Sequence, residues 1–150
     1  MHEPEIEYLI RSLGIGATYR GYAYLIYGTR LCLSDENYLL FVSKYLYPDI
    51  ARHYNTTSYS VERNIRTVIK VCWEHGNKSL LEKIALRPLH LKPTSSEFFD
   101  IITAHLRKTA IYASDLVSVY ILFLYASFLL KIFSNSFMLL TYFRHIFHLY

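Results

Sequence analysis

The chain has 150 residues, which suits a single domain of the usual ~100–200 residues. Apolar residues make up 53% and there are only five glycines and four prolines, which excludes wholesale disorder and collagen-like or low-complexity chains. Sixteen basic against twelve acidic residues give +4 with histidine neutral, a surplus that permits an anionic partner without requiring one. The opening text, MHEPEIEYL, carries three glutamates and no basic n-region, so it does not read as a signal peptide. The only two cysteines, Cys32 and Cys72, lie far apart in apolar surroundings, with no CxxC pair. A disulfide-stapled secreted scaffold would need more, and a reducing cytosol is expected.

Helical periodicity dominates, with no strand-length alternation and no Asn-Gly or Asp-Gly hairpin signal. Ile6, Leu9, Ile10 and Leu13 predict a first helix, ended by Gly14 and Gly16. Gly14-Ile15-Gly16 lacks the further glycine and the Lys-Ser or Lys-Thr of a phosphate loop, so it reads as a terminator. A second helix is expected over about 20–33, rich in aromatics through Tyr22, Tyr24 and Tyr27. Ser34 or Asp35 caps a third, whose apolar surface comes from Leu39, Leu40, Phe41, Val42 and Leu46. Pro48 then interrupts, and it suits the first turn of the helix that follows.

The stretch 47–77 is the most informative. A short helix over 48–54 ends at Asn55, Thr56 and Thr57 offer N-caps, and a longer helix runs from near Ser58 to Gly76. Val61, Ile65, Val68, Ile69 and Cys72 form one apolar face of that longer helix, so Cys72 reads as a core residue. Tyr59, Ser60, Glu62, Arg63, Arg66 and Lys70 fall largely away from the stripe. Short helix, tight turn and longer helix with polar and basic residues at its start describe a helix-turn-helix, although helical hairpins in bundles share the pattern. In the DNA-binding reading, Arg63 donates to guanine and Glu62 accepts from cytosine, while Arg52, Arg66 and Lys70 meet phosphates. Farther on, Thr94-Ser95-Ser96-Glu97 reads as a cap with glutamate at its third helical position. Phe98, Ile101, Ile102 and Leu106 mark a last amphipathic helix.

Several text blocks in register resemble the C-terminal effector domain of the stage-zero sporulation master response regulator. They are GYAYL at 21–25, KYLYPDIARHYNTT at 44–57, VERNIR at 61–66, CWEHGN at 72–77 and KPTSSEF at 92–98, across about residues 5–109. The resemblance implies an all-α, compact domain of about six helices, sequence-specific binding to double-stranded DNA, and transcription control by copies that pair on adjacent operator boxes. RNA polymerase or a related full-length regulator is the further partner it implies. The family's recognition helix presents an arginine followed by a Val-Glu-Arg run. Glu62 and Arg63 match that run, and Ser60 stands where the first arginine would be, which removes a bidentate guanine donor. DNA-contacting residues are therefore expected among Arg52, Thr57, Tyr59, Ser60, Glu62, Arg63, Arg66 and Lys70. The family's N-terminal receiver domain has no counterpart in this text, so phosphorylation is not expected to switch the protein by that route.

Composition changes near residue 110. Of the charged residues only Asp115, Lys131 and Arg144 lie beyond it, and residues 116–130 form an uncharged run. The division expected is a DNA-binding domain over 1–110 and a hydrophobic, helical tail over 111–150. Three readings of the tail stand: a membrane anchor over about 116–143, a dimerising or core-covering helix, or unselected text from read-through or frameshift in A/T-rich DNA. The anchor reading needs Lys131 to snorkel, because an uninterrupted span takes ~20 apolar residues. His145 and His148 lack a nameable third metal ligand, and no nucleophile–base set or paired carboxylates stand out. No cofactor, metal or enzymatic activity is expected. The reading is a cytoplasmic DNA-binding regulator; the alternative is a helical interaction module that dimerises with or competes against related regulators, with membrane tethering through the tail open to either.

Overall fold

A computed structural model describes the backbone of residues 3–147 and the side chains of residues 3–131. Among the described residues the chain is all helical and contains no strand. The helices are α1 (Glu3–Ser12), α2 (Arg20–Ser34), α3 (Asn37–Leu40), α4 (Tyr47–His53), α5 (Ser58–His75), α6 (Lys78–Ala85) and α7 (Ser95–Phe147), with a π-helical stretch at Val42–Leu46 leading directly into α4. The chain divides into two compact units, Met1–Ala110 and Ile111–Tyr150.

The first unit owes its form to apolar stripes that converge on α5. Val61, Ile65, Val68, Ile69 and Cys72 are all buried, as the helical spacing predicts. They meet α2 and α4, and α1 in turn packs on α2. Ile6, Ile10, Leu13, Leu25, Leu46, Ile50, Phe98, Phe99 and Ile102 complete a core with essentially no solvent access. Both cysteines belong to it, and burial raises the Cys32 thiol to about 12 and the Cys72 thiol to about 11. A buried thiol of that kind is a small apolar side chain rather than a nucleophile.

Two elements differ from expectation. The third helix is one turn long, because Phe41 adopts φ −129° and ψ 53° and breaks it. Its cap position is Glu36, without a side-chain bond, rather than Ser34 or Asp35; the Asp35 carboxylate accepts from the Asn37 N–H at 2.9 Å just ahead of it. After the break the chain re-enters in a shifted phase, which turns Val42 and Leu46 inward and leaves Leu40 and Phe41 exposed. Helix α6 has no counterpart among the expected helices. It starts at Asn77, whose side chain accepts from the Leu80 N–H at 2.9 Å, and buries Leu81 and Ile84. Eight residues with so short a stripe give a weak periodic signal.

Close helix crossings fix two glycines. A Cβ on Gly21 would lie 2.4 Å from the Asn64 carbonyl oxygen and 2.8 Å from Val68, so α2 meets α5 almost backbone to backbone. A Cβ on Gly76 would lie 2.3 Å from the Leu13 carbonyl oxygen. Gly76 has φ −92°, which any residue adopts, so contact rather than helix-capping geometry demands glycine there. Gly21→Ala is expected to lower stability by ~1–3 kcal/mol through overpacking, measured by urea unfolding. A change below about 0.5 kcal/mol would show that α2 shifts freely.

Candidate nucleic-acid interface

Helices α4 and α5 are joined by a turn whose hydrogen bonds are fully specified. The Thr56 N–H donates to the Ala51 carbonyl at 2.9 Å and the Asn55 N–H to the Arg52 carbonyl at 3.4 Å, with Asn55 left-handed at φ 50°. This is a Schellman end with asparagine in place of glycine, a residue that tolerates the left-handed region. Thr57 then caps α5, its hydroxyl oxygen accepting from the Ser60 N–H at 3.2 Å. Tyr38 donates to Asp49 at 2.6 Å and ties α3 to α4; that bond raises the tyrosine to about 12. Tyr54 donates to the Ala23 carbonyl at 3.1 Å and ties the turn to α2.

With the apolar face of α5 buried, its other face is presented outward. Tyr59, Arg63, Arg66 and Lys70 are exposed, Tyr59 at 74%. Ser60 and Glu62 are half-buried at the margins of the stripe. Ser60 accepts from the Asn64 side-chain amide through both its carbonyl, at 2.7 Å, and its hydroxyl, at 3.4 Å. Arg66 lies 3.6 Å from Glu62 and Lys70 3.9 Å from Glu74, loose pairs on the solvent-facing side of the helix. Such pairs contribute little to stability and re-pair at little cost when an anion arrives.

Tyr59, Glu62, Arg63, Arg66 and Lys70 line a common shallow groove with Lys92. Ser60 joins Tyr59 and Arg63 on an adjoining one lined also by Arg20. Arg52 lies in neither: it sits on α4 and pairs with Asp49 at 2.9 Å. Thr57 likewise spends its side-chain oxygen on the cap. Arg20 and Lys92 were not among the expected contacts. Neither belongs to the periodic pattern of α5, and Lys92 comes from a segment 22 positions beyond Lys70, so only folding brings them to the stripe.

The segment that follows Lys92 is locally ordered. The Thr94 hydroxyl oxygen accepts from the Glu97 N–H at 3.2 Å, and the Glu97 carboxylate accepts from the Thr94 N–H at 3.0 Å and from the Thr94 hydroxyl at 3.1 Å. This is the reciprocal capping box that the spacing of these residues predicts. Arg87 adds an ion pair at 3.4 Å. The Thr94 hydrogen bonds, chiefly the backbone one, with Arg87 behind them, hold Glu97 below its ordinary value of 4.5.

His145 and His148, the histidine pair weighed in the sequence, lie outside the residues whose side chains are described. Among the described residues no three His, Cys, Asp or Glu side chains gather where they could hold a metal ion.

A short helix, a tight turn and a longer helix presenting a basic, outward stripe define a helix-turn-helix regulator domain. A family model described as "Sporulation initiation factor Spo0A C terminal" matches residues 6–106, and the chain belongs to that family. The matched region is thus a sporulation transcription-factor domain of the DNA-binding class, not of an enzyme class.

The capping box gives a pH-dependent stability. The folded state depresses the Glu97 carboxyl, so its contribution is complete above the unfolded value and is lost as pH falls through the folded one. Glu97→Ala is expected to cost ~0.3–1 kcal/mol at pH 7, within the range for one element of a helix cap on an exposed surface. The gap from the wild type should shrink as pH drops below about 4.5, as read by urea unfolding at both pH values. A gap that is unchanged at acid pH would show that the charged carboxylate contributes nothing there.

Proposed function

We propose that α5 is the recognition helix of a sequence-specific, duplex-DNA-binding regulator, with Arg63 reading a base edge and Arg66, Lys70, Lys92 and Arg20 meeting phosphates. The observation that carries this reading is the single exposed stripe of Tyr59, Arg63, Arg66 and Lys70, flanked by Lys92 and Arg20 from other parts of the fold. Major-groove geometry admits one helix, and its first turns face the bases. Arg63 lies in the second turn of α5, where a guanidinium reaches a guanine. Glu62 stands beside it to accept from a cytosine amino group. Tyr59 and Ser60 occupy the first turn and line its approach, Thr57 fixes the entry of the helix, and Arg52 meets backbone from α4. The family supports pairing of two copies on adjacent boxes, a contact with RNA polymerase or a related full-length regulator, and action on DNA in the cytoplasm.

The test is a selection of bound sequences from random duplex DNA, followed by anisotropy titrations on the winning site and on an unrelated duplex. Arg63→Ala is expected to cost ~1–3 kcal/mol on the selected site and much less on the unrelated one. Lys92→Ala should weaken both alike and reduce the magnitude of the salt slope by about 1. Enrichment of no sequence at all would defeat the reading.

Ser60 sets a second expectation. Its tie to Asn64 runs chiefly through its backbone carbonyl, so a longer side chain leaves the helix intact. On an operator bound by family members that carry arginine there, Ser60→Arg should tighten binding by ~1–3 kcal/mol. An unchanged affinity with helicity preserved by circular dichroism would mean that this helix docks in another register.

A further inference from the structure

We propose that residues 111–130 of the second unit are a bilayer-spanning helix, with Lys131 at the far membrane surface. The first ground is that the uncharged run 116–130 has no polar face. Every described residue from 111 to 131 is exposed, including Leu116 at 71%, Leu122 at 76%, Phe123 at 69% and Leu130 at 71%. The two serines of the uncharged run, Ser118 and Ser127, are nine positions apart, which at 3.6 residues per turn puts them about 180° apart. Valine, leucine, isoleucine, phenylalanine and alanine fill the arcs between them, with Tyr120 beside Ser127 and Tyr125 beside Ser118. A helix that packs on a second copy as a coiled coil keeps one side for water; a helix that is apolar all round is either deeply buried in protein or in lipid. This stretch is not buried.

Two of the segment's hydroxyls are compatible with lipid. The Ser118 hydroxyl donates to the Ser114 carbonyl at 2.9 Å, and the Ser114 hydroxyl to the Ile111 carbonyl at 2.7 Å. Hydrocarbon offers no partner, so a hydroxyl facing it is satisfied by its own helix, as these two are; exposed Thr67 and Thr109 make the same bond, so it fits lipid without requiring it.

Length and end charges agree. Twenty helical residues rise roughly 30 Å, the thickness of a bilayer's hydrocarbon core. The segment is bounded by Lys108 on one side and Lys131 on the other. Lys131 stands just past the last apolar residue, where its chain reaches the headgroups. Asp115 lies about one turn inside the near boundary, at a depth where a charge costs far less than at the midplane. The occupant of this surface is therefore a lipid bilayer rather than protein.

The test is cell-free synthesis of the full chain with vesicles of phosphatidylcholine and phosphatidylglycerol, followed by flotation and alkaline carbonate extraction. The chain is expected to float and to resist extraction. Ile121→Arg, at the centre of the span, should reduce the carbonate-resistant fraction about tenfold or more. Ala104→Arg, an exposed position outside the span, should leave it unchanged. Protein that stays at the bottom of the gradient, as a defined oligomer or as an aggregate, would overturn the proposal. So would floating protein stripped by carbonate, which is surface adsorption only, or an Ile121→Arg chain that inserts as well as the wild type.

Discussion

The seating of α5 governs the rest of the first unit. That helix is held at both ends by contacts that admit no side-chain carbon. Gly21 lets α2 lie against the Asn64 carbonyl near the start of α5, and Gly76 lets the end of α5 lie against the Leu13 carbonyl. The Asn77 N–H donates to the same Leu13 carbonyl at 3.1 Å. Between these points Val61, Ile65, Val68 and Cys72 sink into the core. A helix fixed in translation and rotation presents one side only, so the direction of Arg63 and its neighbours is a consequence of packing rather than of their own interactions.

The turn before α5 adds angular definition. Left-handed Asn55, the Thr56 and Asn55 hydrogen bonds and the Thr57 cap all lie within three residues. They satisfy the end groups of two helices at once, so the backbone has little freedom to change the angle between them. The Tyr38–Asp49 and Tyr54–Ala23 bonds brace the same corner from outside. By contrast, the charges on the outward stripe are only loosely paired, as with Arg66–Glu62 at 3.6 Å. Rigid support beneath and adaptable charge above is the combination that an electrostatic surface requires, since the frame sets register and the side chains remain available to a polyanion.

The two units obey different solvation rules. In the first unit α1, α5 and α6 gather apolar side chains on one side and charges on the other, as water demands. Beyond residue 110 charge nearly vanishes and described apolar side chains are exposed on every side. Averages over the whole chain, such as its 53% apolar content, conceal this contrast.

Much was legible in the sequence because it depends on local periodicity. The buried face of α5, the turn at 54–57, the Thr94–Glu97 box and the core placement of Cys72 follow from spacing and capping chemistry within a few residues. The family was legible from blocks of text in register, and the family model covers the same region. Helix α6 was not, because two buried residues in eight are too few to impose a period. Nor was the break at Phe41, which exposes Leu40 and Phe41: a one-turn helix can end wherever the packing of its neighbours requires. Only the tertiary structure brought Arg20 and Lys92 to the margins of the α5 stripe, and only it showed why Gly21 and Gly76 carry no side chain. Sequence alone determined which faces are apolar, since that is a property of neighbouring residues; which distant residues share a surface was decided by the fold, because it depends on how helices cross.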